Sequence, residues 1–182
     1  KRNSVVAIKL KNSPEMILSI LGILKTGAAY VPLDPSYPTE RIDMILEDCG
    51  ATILLSDEEY QIDELISLDV NSILTNDIAH TKTKFKNISY PEDLMLILYT
   101  SGTTGKPKGV RLKNSNVLSY IYSFKKEFLI DQSTKFLQQA TYTFDMFIEE
   151  VFPTLAFGGT LIIYPKVHGI DFEELCQYIN EK

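Results

Sequence analysis

The sequence is poor in the residues that staple or metallate a protein. Only two of its 182 residues are cysteine, Cys49 and Cys176, and only two are histidine, His80 and His168. No CxxC pair, metal-ligand cluster or disulfide framework can be drawn from them, and such usage fits a reducing cytoplasm. Long apolar runs are also missing: no stretch approaches the roughly 18 uninterrupted apolar residues of a membrane span, and neither a span nor a signal peptide is read. Positive charge is in deficit. Eighteen Lys and Arg against 24 Asp and Glu leave a net charge of -6, which opposes a nucleic-acid backbone as partner. Internal repeats and low-complexity tracts are lacking. What is present, 45% hydrophobic and 23% charged residues, is enough for a packed core. The length suits one domain, or one piece of something larger.

Strand and helix patterns alternate along the chain. Ser4 to Leu10 reads as a strand, and Ser13-Pro14-Glu15 offers a cap, a first-turn proline and an early acid to a helix bearing Met16, Ile17, Ile20, Leu21 and Leu24. Gly27 stands where a left-handed C-cap falls. Ala28 to Leu33 is a second strand, and Thr39 can cap a helix with Ile42, Ile45, Leu46 and Cys49 on one face, ended by Gly50. Thr52 to Leu55 and Asn71 to Leu74 read as short strands, Asn76 to Tyr90 as a polar loop, and Leu94 to Tyr99 as the clearest buried strand. A Gly/Thr/Lys loop follows, then a helix from about Ser115 to Phe128, a strand near Phe136, a helix from Phe147 to Leu155, a strand from Thr160 to Ile163 and a helix from Asp171 to Asn180. Such alternation implies the α/β class: three layers, with a mostly parallel sheet and helices on both faces.

Chemistry concentrates after the buried strand, in Tyr99-Thr100-Ser101-Gly102-Thr103-Thr104-Gly105-Lys106-Pro107-Lys108-Gly109. Glycines let backbone N–H groups approach a phosphate, hydroxyls donate further bonds, and an ammonium neutralises charge. A polyphosphate fits that description; a solvated hairpin loop is the plainer reading. The string is neither a Walker A loop, since Pro107 stands where glycine is needed, nor GxGxxG.

This string resembles the phosphate-binding loop of the adenylate-forming superfamily, which includes acyl-CoA synthetases, luciferases and the amino-acid adenylation domains of nonribosomal peptide synthetases. Leu24-Lys25-Thr26-Gly27-Ala28-Ala29-Tyr30-Val31-Pro32-Leu33-Asp34-Pro35, with Tyr37-Pro38 and Glu40-Arg41 behind it, resembles a second signature, of the peptide-synthetase branch. Phe144-Asp145, Phe152-Pro153-Thr154-Leu155 and Gly158-Gly159-Thr160-Leu161 resemble a third. The resemblance implies part of the large N-terminal domain of an enzyme that joins an amino acid to ATP, giving aminoacyl-AMP and pyrophosphate with Mg2+ assisting. Transfer to phosphopantetheine on a peptidyl carrier protein domain would follow, in secondary metabolism. Thr100, Ser101, Gly102, Thr103, Thr104, Gly105 and Lys108 would hold the leaving phosphates, Thr104 and Lys108 assisting the chemistry. Asp145 would grip the substrate's α-ammonium, unless it is simply a helix N-cap. Met146 and Glu149 would face the substrate side chain, unless Glu149 simply faces solvent on a surface helix, Glu150 being structural.

A carboxylate at 149 beside a bound substrate favours a basic amino acid such as ornithine or lysine. The sequence departs from the pattern at Phe147, where Ser or Thr is usual, and at Lys113-Asn114, where Thr-His is usual. The two histidines lie in polar stretches and read as solvated. The family's adenine-binding motif, ribose-binding aspartate and catalytic lysine have no counterpart, so residues 1–182 are expected to be a single partial domain without the C-terminal part and small lid. The isolated chain would then be inactive and prone to self-association. A non-catalytic nucleotide-binding or interaction module, or another ligase such as one charging a D-alanine carrier protein, stands as the alternative.

Overall fold

In the computed structural model, which describes residues 2, 4–58, 60, 65–75, 88–101, 106–166 and 169–181, the chain divides into two compact units, Lys1–Val117 and Leu118–Lys182. The first is built on a six-stranded sheet ordered β4-β3-β1-β2-β5-β6. Its strands are β1 (Val5–Lys9), β2 (Ala29–Pro32), β3 (Ile53–Ser56), β4 (Ile66–Asp69), β5 (Leu94–Ser101) and β6 (Pro107–Lys113). All neighbours pair parallel except β5 and β6, which are antiparallel.

Side-chain alternation gives the sheet two apolar faces. On one, Ala7, Val31, Leu33, Leu54, Ile97 and Tyr99 pack against Ile42, Ile45, Leu46 and Cys49 of α2 (Thr39–Cys49). On the other, Val6, Ile53 and Leu55 meet α1 (Pro14–Lys25), where they line an apolar groove of about 480 Å³ with Leu18 and Leu68. Helices thus cover both faces, as the alternating pattern implies. The expected start and stop of α1 are present: the Ser13 hydroxyl accepts from the Met16 N–H at 3.2 Å, and Gly27 has φ +73°.

Three local expectations are corrected. Asn71 to Leu74 is not a strand but part of the helix α3 (Val70–Thr75), and the strand is the preceding Ile66–Asp69. The Asp69 carboxylate decides this, accepting from the N–H groups of Asn71 at 3.1 Å and Ser72 at 3.2 Å. Thr39 is the first residue of α2 rather than its cap; Pro38 takes the cap position and makes no side-chain bond. The chain after the Gly/Thr/Lys loop returns as a strand, β6, before α4 (Asn114–Phe128). Of the stretch 76–90 only 88–90 is described, and His80 and His168 lie outside the described residues.

The second unit pairs β7 (Lys135–Gln138) in parallel with β8 (Thr160–Ile163). Packed on both strands is α5 (Met146–Ala156), which buries Phe147, Ile148, Val151 and Phe152. The helix α6 (Phe172–Asn180) is capped by the Asp171 carboxylate, which accepts from the N–H groups of Glu173 and Glu174 at 2.8 and 3.1 Å. Among the described residues no helix is long and apolar enough to cross a membrane.

Candidate functional site

In the first unit the sequence points to the turn between β5 and β6. Met95 to Tyr99 are buried, and exposure begins at Thr100. The register sets Thr100 opposite Lys108 and Ser101 opposite Pro107, so the two strands are antiparallel neighbours joined in sequence by Gly-Thr-Thr-Gly-Lys, residues 102–106. Gly102, Thr103, Thr104, Gly105 and the Ser101 side chain lie outside the described residues; Lys106 and Lys108 are exposed. Among the described residues the ion pairs are Arg2–Asp93, Lys9–Glu58 and Lys166–Glu174, which leaves Lys106 and Lys108 available to an external anion.

The base of the hairpin is fixed by packing. Gly109 lies across from Tyr99, and a Cβ there would fall 2.9 Å from Ile97 Cγ2 and 3.0 Å from Tyr99 Cζ. Glycine therefore makes room for the tyrosine ring, whose hydroxyl donates to Asp48 of α2. Burial, reinforced by that carboxylate, pushes the Tyr99 phenol up, so it remains a donor across the physiological range. At the far end of the hairpin, the unusual Lys113-Asn114 pair has a structural use: Asn114 Nδ2 donates to the Tyr90 carbonyl at 2.8 Å, and its N–H donates to that of Asp93 at 2.9 Å.

In the second unit the residues of interest gather at the start of α5. Asp145 is exposed and occupies the N-cap, its carboxylate accepting from the Met146 N–H at 3.0 Å. Met146 is 57% exposed, whereas Phe147 is fully buried against Tyr142, ring centroids 6.2 Å apart. The departure at 147 has thus become a core contact. Offsets of four and three residues set Asp145 and Met146 each beside Glu149 on the helix surface. Glu150 is buried, and its carboxylate accepts from the backbone N–H groups of Gln139 at 3.1 Å and Ala140 at 3.0 Å. Desolvation raises its pKa, partly countered by those bonds. This clamp fixes the chain leading out of β7.

Glu149 is neither fully solvated nor unpaired. It is half-buried, and Tyr120 on α4 donates its hydroxyl to Glu149 Oε1 at 2.6 Å. Burial first, and then Glu149, push the Tyr120 phenol up to about 12. No pattern in the sequence singles out Tyr120, which lies on another helix, 29 residues away. Among the described residues no cluster of His, Cys, Asp or Glu could hold a metal ion.

The AMP-binding enzyme family matches residues 1–182, the whole chain. The chain belongs to that family. It is 37% identical over 183 residues to bacitracin synthase 2 of Bacillus licheniformis, aligning along its full length with 7% of that protein. The N-terminal subdomain of Klebsiella oxytoca NpsA, solved with 3-hydroxyanthranilyl-AMSN, superimposes with a TM-score of 0.85 at 28% identity, covering 98% of this chain and 44% of that one. The four-domain nonribosomal peptide synthetase AB3403, solved with AMP and glycine, gives a TM-score of 0.83 at 29% identity, covering all of this chain and 14% of that one. The chain spans less than a tenth of the curated relatives it matches.

Proposed function

We propose that this chain supplies the phosphate-holding hairpin and the amino-group-binding helix of an amino-acid adenylation domain within a longer peptide synthetase. The substrate carboxylate attacks the α-phosphorus of ATP, the bond to the bridging oxygen breaks, and pyrophosphate leaves. Thr100, Ser101, Gly102, Thr103, Thr104, Gly105 and Lys108 hold the β- and γ-phosphates, where the Lys108 ammonium offsets charge gathering on the leaving group. Asp145 pairs with the α-ammonium, and its exposed position at the start of α5 leaves it open to do so. Met146 and Glu149 meet the substrate side chain, which favours a basic amino acid such as ornithine or lysine. Mg2+ would enter with the triphosphate, and a carrier domain's phosphopantetheine thiol would accept the aminoacyl group.

One observation carries this reading: a buried strand that delivers Thr100 opposite Lys108, on either side of the sequence Gly-Thr-Thr-Gly-Lys, with Lys106 and Lys108 exposed. The test is amino-acid-dependent exchange of pyrophosphate into ATP by the full-length parent, offered a panel of amino acids. Exchange that survives in a Lys108→Ala, Asp145→Ala double variant would refute the assignment. The isolated 182-residue chain is expected to give no exchange, lacking counterparts for the adenine, ribose and catalytic-lysine contacts, and to self-associate, its apolar groove and exposed Ile66 offering a face. Sedimentation of a strictly monomeric chain would contradict the latter.

A further inference from the structure

Asp145 and Glu149 stand one turn apart on α5, so two carboxylates share one helix face about 6 Å apart along the axis. Like charges at this spacing repel, and each needs its own compensation. Asp145 has the N–H of Met146; Glu149 has only Tyr120 among the described residues, and only at Oε1. The other oxygen, Oε2, accepts no bond there.

Tyr120 is itself held. Its ring lies against Phe124, centroids 6.0 Å apart, and the buried Phe124 lies in turn against Phe128 at 4.4 Å and Phe136 at 6.3 Å. An aromatic stack running from α4 to β7 therefore aims the hydroxyl, and the hydroxyl aims the carboxylate. A free glutamate on a half-exposed helix face would sample several rotamers; this one is tethered at one oxygen, while the other accepts no bond among the described residues.

We infer that Tyr120 is a positioning residue for substrate selection: it fixes Glu149 so that Oε2 receives the side-chain ammonium of a diamino acid whose α-ammonium is held by Asp145. The inference rests on the adenylation reading above and adds to it a residue outside the matched motifs. Two carboxylates against two ammonium groups balance in charge, leaving the substrate carboxylate as the reacting group. Tyr120 touches no reacting atom, so it acts on affinity for the amino acid rather than on the rate of adenylate formation.

The experiment uses the full-length parent in wild-type, Tyr120→Phe, Glu149→Gln and double-variant forms, with pyrophosphate exchange measured over a range of ornithine, lysine and leucine at saturating ATP. Phenylalanine keeps the stack on Phe124, and a thermal melt of each variant verifies folding. In Tyr120→Phe the KM for the preferred diamino acid should rise about tenfold, the loss of one hydrogen bond to a charged group, with kcat within about twofold. The KM for ATP should not move. The double variant should be no worse than Glu149→Gln, because Tyr120 acts through Glu149. An unchanged KM in Tyr120→Phe, losses that add in the double variant, or a wild-type preference for leucine would overturn the inference while leaving adenylation intact. Exchange with no amino acid at all would overturn the adenylation reading and this inference with it.

Discussion

The β5–β6 hairpin and the first turn of α5 are built by opposite means. In the hairpin, backbone pairing dominates: a buried strand, an antiparallel return strand, and a glycine at 109 where a Cβ would meet Ile97 and Tyr99. At α5 the chemistry lies in side chains whose partners come from elsewhere: Glu149 is met by Tyr120, and Glu150 by the backbone of residues 139–140. On the proposed reading, the hairpin would meet the phosphates common to every adenylation, whereas the side chains at the start of α5 would meet the amino acid and so carry selectivity.

The largest effect is expected at Glu150, where the comparison would break if α5 held its own start without help. Replacing Glu150 by Ala leaves the part-buried N–H groups of Gln139 and Ala140 without their acceptor and opens a void where the buried side chain stood, at a cost of about 3 kcal/mol of unfolding free energy. Its pKa is raised in the fold, so its contribution is fullest below the unfolded carboxylate value and declines as pH rises through the folded one. Glu150→Gln should therefore lose that decline while keeping one acceptor. Urea denaturation at several pH values measures both, and an Ala variant as stable as wild type would show the clamp to be idle.

A smaller loss is expected at Gly109→Ala. The added Cβ meets Ile97 and Tyr99 at or inside 3.0 Å, and displacing the Tyr99 ring disturbs its bond to Asp48; about 2 kcal/mol is expected from overpacking. If the hairpin is as dependent on its backbone as the comparison holds, ATP affinity in the full-length parent should fall together with stability. Loss of stability with ATP affinity unchanged would separate the two.

Lys108→Ala should do the reverse. The side chain is exposed and in no ion pair among the described residues, so unfolding free energy should stay within about 0.5 kcal/mol. The KM for ATP in pyrophosphate exchange should rise about tenfold, with the amino-acid KM unchanged. A variant that shifts amino-acid selectivity instead would place Lys108 in the wrong group.

The same contrast explains what could be read in the sequence. Leu94 to Tyr99 announces a buried strand because six apolar or aromatic residues end in turn-forming ones, and Ser13-Pro14-Glu15 announces α1 because the cap, the proline and the acid are contiguous. β6 escaped notice because Pro107-Lys108-Gly109-Val110-Arg111-Leu112-Lys113 carries charge and a proline; such residues suit the protected edge of a sheet, where β6 lies, and hide the strand pattern. The shift of strand and helix around Asp69 followed from a cap whose signal, Asp-Val-Asn-Ser, is as weak in sequence as it is decisive in hydrogen bonds. Tyr120 was out of reach altogether. Its meaning comes from a contact across 29 residues between two helices, and one sequence without a fold contains no trace of it.

The smallest effect is expected at the other end of β5, where the first unit uses a side-chain device of its own. The Asp93 carboxylate accepts from Arg2 Nη2 at 2.8 Å and from the Tyr90 N–H at 2.9 Å, while the Asp93 carbonyl accepts from Asn114. The Arg2 bond, opposed by some desolvation, holds the Asp93 pKa below the ordinary carboxylate value. A depressed folded pKa contributes stability that is fully present above the unfolded value, about 3.9, and is lost as pH falls through the folded one. Glu58, Asp69 and Asp131 are shifted in the same direction, so the acid limb of wild type is their joint effect. Asp93→Asn isolates one member. Its stability should decline less steeply than wild type below about pH 4, with the difference shrinking when Arg2 is also replaced by Met and only the Tyr90 N–H is left to the carboxylate. Urea melts between neutral and acid pH provide the readout. Parallel curves for wild type and Asp93→Asn would mean that the Asp93 carboxylate adds nothing to the foot of β5 beyond its backbone bonds.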